Sequence, residues 1–170
     1  MPQPELEVVR TIYCRIDVNT SIALMDAVAQ GGYDRVDCRI GRTLFPPIPG
    51  HRQGRYTYEA QVLFFRNGAP STQAVHRWIE THKLRSGEWP DILAYAIKSP
   101  RHRLATHIIA LGSTWYDKDN ACEHALCLHS TKGHDGIIRR CLDLADTNIG
   151  WTENCGFLTY RERLWKGGAT

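Results

Sequence analysis

No stretch of this 170-residue chain is apolar for the length a bilayer crossing demands. The N-terminus, MPQPELEVVR, lacks the basic start and apolar core of a secretion signal. These two absences predict a soluble, cytoplasmic protein with no membrane partner, whose six cysteines stay reduced. Low-complexity segments and fixed-period repeats are missing too, which excludes linker-like and solenoid architectures. Net charge is scarce, only +3. That is far less than a dedicated basic nucleic-acid domain carries.

The familiar catalytic signatures are also absent. The sequence holds no G-x-G-x-x-G, no Walker loop, no H-E-x-x-H, no G-x-S-x-G and no Pro-Cys-x-x-Cys. No motif implies a cofactor, and none decides between catalysis and binding.

What is present fits one globular domain spanning residues 1–170, large enough to bury a core without disulfide or metal staples. Apolar residues make up 42% and charged residues 23%, ordinary globular usage. Residues 6–17 alternate apolar and polar with β-branched enrichment, the period of a half-buried strand. Asn19, Thr20 and Ser21 are good helix caps before Ile22, Met25, Val28 and Ala29 at helical spacing, and Gly31-Gly32 supplies a stop. Val36, Cys38 and Ile40 suggest a short strand. Three prolines and three glycines make 41–55 a long loop, a length more often found in functional segments.

Residues 56–66 form a strand ending in Val62-Leu63-Phe64-Phe65, a run that implies burial on both faces. Asn67-Gly68 turns the chain. A helix follows with Val75, Trp78, Ile79 and a partly buried His82 on one face. Pro90 then opens another helix, with Ile92, Leu93, Ala96 and Ile97 inward. Further strands cover 107–111, 122–129, 140–145 and 155–164. Residues 137–145 also fit a helical stripe, but their place among short strands favours strand. The expected fold is α+β: a mostly antiparallel sheet of about six strands packed on about three helices, its C-terminal part an antiparallel meander.

Three sets of residues bear on function. The segment from His76 to His107 holds six Lys/Arg against three acids, so the whole net charge sits there. Arg77, Lys83, Arg85, Arg101 and Arg103 are the binding candidates, because lysine and arginine neutralise phosphates. A nucleic acid or another protein is the expected partner, met through this segment and loop 41–55, and the leading expectation is a non-catalytic binding or regulatory domain. The second set is histidine. His51, His102 and His107 are candidate acid–base groups for a nuclease or other phosphoryl-handling enzyme.

The third set is the stretch CEHALCLHSTKGH. Its spacing matches no common zinc finger. In a strand, Cys122 and His124 face one side and Cys127 and His129 the other. Only Cys127, His129 and His134, with Asp135 to complete them, remain as a weak metal set, and Leu126 and Leu128 make the Cys122 side the core face. Asp117-Lys-Asp-Asn120 opens like a calcium loop, but it lacks the glycine and has Leu128 at the twelfth position, so it reads as a polar turn. Ser113, after a strand and a glycine, has no base assigned beside it.

Overall fold

The computed structural model describes residues 6–42, 45, 54–99 and 106–161. His51, His102, Arg101 and Arg103, and most of loop 41–55, lie outside the described residues. The architecture is α+β: one mixed, mostly antiparallel sheet and three helices. The strands are β1 (Val8–Asn19), β2 (Arg35–Val36), β3 (Arg55–Phe65), β4 (Leu84–Ser86), β5 (His107–Asp117), β6 (Cys122–Lys132), β7 (Ile138–Asp146) and β8 (Cys155–Arg161). The helices are α1 (Leu24–Gln30), α2 (Thr72–Thr81) and α3 (Trp89–Lys98). No helix among the described residues is long and apolar enough to cross a membrane.

The sheet runs β1-β3-β8-β5-β6-β7-β2, with β4 paired to β8 off this path. Among the described residues it has eight strands, against the about six expected. The strand absent from the sequence reading is β4, whose three residues are too few to show a period. β5, β6 and β7 form the expected antiparallel meander. β8 does not extend it. Instead β8 inserts between β3 and β5, antiparallel to the first and parallel to the second.

Both faces of the sheet are covered. One core gathers Ile16, Val62, Phe64, Ile92, Leu93, Ile108, Leu126 and Leu128 beneath α1 and α3. The other gathers Phe65, Val75, Ile79, Ile109, Cys127 and Phe157 beneath α2. The run Val62–Phe65 therefore feeds both cores, as its unbroken apolarity requires. The expectation that only the Leu126 side of β6 is core is corrected, since Ala125 and Cys127 are equally buried on the other side. All six cysteines are free thiols.

Local bonds explain where the elements depart from their patterns. α1 starts at Leu24 and is capped by Ala23, not by Asn19–Ser21. Those residues are engaged elsewhere: Thr20 exchanges bonds with Gly54, and the Asn19 side chain accepts the Ser21 N–H. The expected strand at 36–40 stops after Val36, because the Asp37 carboxylate takes the Arg39 N–H and guanidinium and turns the chain. His82 is exposed rather than partly buried; it caps the C-terminus of α2 and stacks on Trp78. Residues 138–145 are strand, within β7, and Ile137 precedes it.

Candidate functional site

β5 and β8 run parallel from His107 to Ile109 and then part. A register shift between Ala110 and Thr114 carries β5 away. β4 fills the space beside β8 that β5 vacates, pairing Arg85 with Tyr160 and Ser86 with Thr159. Divergence of neighbouring parallel strands at their carboxyl ends opens a crevice, the general reason ligands bind there in α/β sheets. Here it leaves a groove of 730 Å³ lined by His76, Ile79, Glu80, Lys83, Leu84, Arg85, Ser86, Glu88, Leu111, Gly112 and Tyr160.

The split depends on a close backbone approach. Gly112 N–H donates to the Gly87 carbonyl at 2.8 Å. A Cβ on Gly112 would stand 2.6 Å from the Ser86 carbonyl oxygen and 2.8 Å from Glu88 Cγ, so only glycine fits. Strand parity sorts the lining into two sides. Leu84 and Ser86 share their face with Thr159, and so with Ile79, Leu111 and His76 beneath α2. Arg85 shares its face with Tyr160, on the side of α3.

At the floor of the groove α3 begins with a capping box. The Glu88 side chain accepts the Asp91 N–H, and the Asp91 side chain accepts the Glu88 N–H at 2.7 Å. Asp91 is 1% exposed and also accepts the Tyr58 hydroxyl. Tyr58 in turn lies against Tyr160, with ring centroids 5.1 Å apart. Two carboxyls buried this close cannot both ionise easily. Burial raises Glu88 to about 8, helped by the Asp91 charge. Burial raises Asp91 to about 6, opposed by the hydrogen bonds from Tyr58 and the Glu88 backbone. Both carboxyls therefore stand above their ordinary range, and the pair keeps a proton to higher pH than two separate carboxylates would. Burial also lowers His76, whose Nδ1 is 3.4 Å from the Ser86 hydroxyl.

The sequence candidates distribute as follows. Lys83 and Arg85 line the groove, while Arg77 is exposed on α2. Lys83 holds a left-handed backbone, φ 56°, at the position after the helix cap where glycine is usual. Ser113 is committed to structure, accepting the Trp89 N–H at 3.1 Å.

His107 stands opposite His129 across β5 and β6, rings stacked with centroids 5.1 Å apart. His129 Nε2 meets Asp143 Oδ2 at 2.5 Å, and Arg35 lies 3.8 Å from the other carboxylate oxygen. Burial lowers His107, and the neighbouring His129 adds to it. The weak metal set is not assembled: no three His, Cys, Asp or Glu among the described residues group to hold a metal ion. His134 is exposed in the β6–β7 turn, where Asp135 pairs with Arg139. Cys127 sits in the α2-side core, its thiol pushed up by burial. The Asp117 turn is closed on itself, its carboxylate taking the Asp119 N–H and the Asn120 amide.

Sequence reasoning missed His76, Ser86, Glu88, Asp91 and Tyr160 as site residues. One signal was available: Glu88 and Asp91 have capping-box spacing, and Asp91 opens an otherwise apolar helix. Compared with protein-family models, curated proteins and solved structures, the chain matches none.

Proposed function

We propose that this chain is a binding domain whose ligand sits in the groove at the sheet split, with Lys83 and Arg85 meeting an anionic group on it. The observation that supports this reading is the convergence, on one 730 Å³ groove, of two cations, His76, Ser86 and Glu88, whose carboxyl is raised by burial. Concave sites with a few convergent polar groups and displaced pKa values are where ligands bind. Burial disfavours the charged form of Glu88, and in its acid form this carboxyl donates a hydrogen bond and does not repel an anion. Six free thiols persist in a reducing compartment, which suits a cytoplasmic setting.

Titration with inorganic phosphate, succinate and a labelled uridine oligonucleotide, followed by amide chemical shifts at constant ionic strength, tests the reading. Shifts should cluster at residues 76–88 and 111–112, and the double change Lys83→Glu with Arg85→Glu should abolish them. If none of the three probes moves those amides, the groove is no anion seat.

A second reading, a histidine-dependent phosphoryl-handling enzyme, is favoured by one observation: His107 and His129 are cross-strand neighbours with Asp143 behind them. One imidazole would take the proton from an attacking hydroxyl and the other would protonate the leaving oxygen. RNA cleavage by the native chain that is unchanged in both His107→Ala and His129→Ala would dismiss it.

A further inference from the structure

β4 has one edge on β8 and one edge on the groove. Gly87 N–H donates to the Leu158 carbonyl at 2.7 Å. In an antiparallel ladder, pairs alternate between exchanging backbone bonds and pointing them outward. Since Gly87 bonds to β8, Arg85 opposite Tyr160 does so as well. Leu84 and Ser86 are then the residues whose N–H and C=O groups point away from β8; the Ser86 carbonyl faces Gly112, which leaves the Leu84 N–H and C=O and the Ser86 N–H toward the split. Among the described residues no ladder runs along that side of β4, and the backbone bond that crosses it is the one from Gly112 to Gly87. The groove therefore contains a short unladdered strand edge, and such edges are templates for pairing with another chain.

The side chains flanking this edge differ by face. Ile79, Leu84 and Leu111 make an apolar bed on the α2 side. Arg85 is on the α3 side, and Lys83 lies at the start of β4. A strand laid along the edge would send successive side chains to opposite faces.

We propose that the ligand is an extended peptide that adds as a short strand to the outer edge of β4, with an apolar side chain on Ile79, Leu84 and Leu111 and an adjacent aspartate or glutamate toward Arg85 and Lys83. This rests on the groove being the binding site and names the partner it takes. Main-chain bonds to the Leu84 N–H and C=O and to the Ser86 N–H give the affinity, and the alternation gives the selectivity. Burial disfavours the charged form of Glu88, which limits its repulsion of the acidic side chain.

The test uses an acetylated, amidated Ser-Val-Asp-Val-Ser peptide, labelled for fluorescence anisotropy, on the full chain. Two analogues are compared, one N-methylated at both valines and one at the aspartate. Because alternate amides face the edge, one analogue should lose about tenfold in affinity and the other little. Replacing the peptide's aspartate by asparagine, or Arg85→Gln in the protein, should weaken binding severalfold. In the free chain, hydrogen exchange should be fast at the Leu84 and Ser86 amides and slow at Arg85 and Gly87. Equal binding by both analogues, or slow exchange at Leu84 and Ser86 in the free chain, overturns the strand pairing. If phosphate binds at residues 76–88 but the peptide does not, the peptide proposal falls and the anion seat stands. If neither binds, both fall.

Discussion

Glu88 and Asp91 stand together where β5 leaves β8, whereas His129 and Asp143 stand together inside an unbroken ladder. The chemistry of the two places is comparable: each couples a carboxylate to a second titratable group within a packed protein. The surroundings differ. In the ladder, each side chain is fixed by its cross-strand neighbours, His107 on one side of His129 and Cys141 on the other. At the split, neighbours are missing on one flank, and the carboxyl pair is fixed by a helix cap and a tyrosine hydroxyl instead. A continuous sheet holds ionisable groups between cross-strand neighbours, and a broken one puts them beside a groove.

That contrast is broken most severely by Asp91→Ala. The change leaves the Tyr58 hydroxyl and the Glu88 N–H buried without an acceptor and removes half of the capping box. Urea denaturation should show a loss of about 3 kcal/mol. A much smaller loss would mean that the split is not organised around this carboxylate.

Next in size is a pH effect of opposite sign at the two places. Glu88 has a folded value of about 8 against 4.5 for an ordinary glutamate. The unfolded chain therefore ionises first, so this residue's stabilisation is complete below pH 4.5 and declines until pH 8. His107 is lowered from 6.5, so its contribution holds above 6.5 and is lost as the pH falls through its folded value. Melting temperatures from pH 4.5 to 8.5 should flatten on the alkaline side in Glu88→Gln and on the acid side in His107→Asn. A profile unchanged in either variant removes that residue from the account.

Asp143→Asn should cost about 1.5 kcal/mol in the same denaturation assay, the ordinary value of a hydrogen bond to a charged partner. A cost as large as that of Asp91→Ala would erase the distinction between the two places. The smallest effect has the opposite sign. Lys83→Gly relieves the left-handed backbone and should add about 0.5–1 kcal/mol while removing a cation from the groove. A stabler chain that binds anions more weakly would mark Lys83 as retained for binding at the expense of stability.

Legibility in the sequence followed the length of the pattern. β1 and β3 are long and alternating or continuously apolar, and they were readable from period alone. The helices α2 and α3 showed their stripes, and α3 its Pro90 start. β4 was invisible because three residues carry no period, and the groove was invisible with it, since the split exists only where β4, β5 and β8 meet. Lys83 and Arg85 could be picked out by charge. Their alignment with Glu88 and His76 could not, because it depends on Gly112 being bare enough to touch β4. The His107–His129 meeting was equally hidden, being fixed by a ladder register that spacing along the chain does not encode.

The placement of β8 has a consequence for how the molecule comes together. β8 follows both of its principal neighbours in chain order, so the β1–β3 pair and the β5–β7 meander can each form before it but are not yet one sheet. Among the described residues β8 is the strand that joins the two halves of the sheet, through contacts made over long stretches of chain. Such a topology closes slowly. Until it closes, the facing edges of β3 and β5 are exposed, making the interval before β8 docks the one in which the chain is most prone to associate with copies of itself.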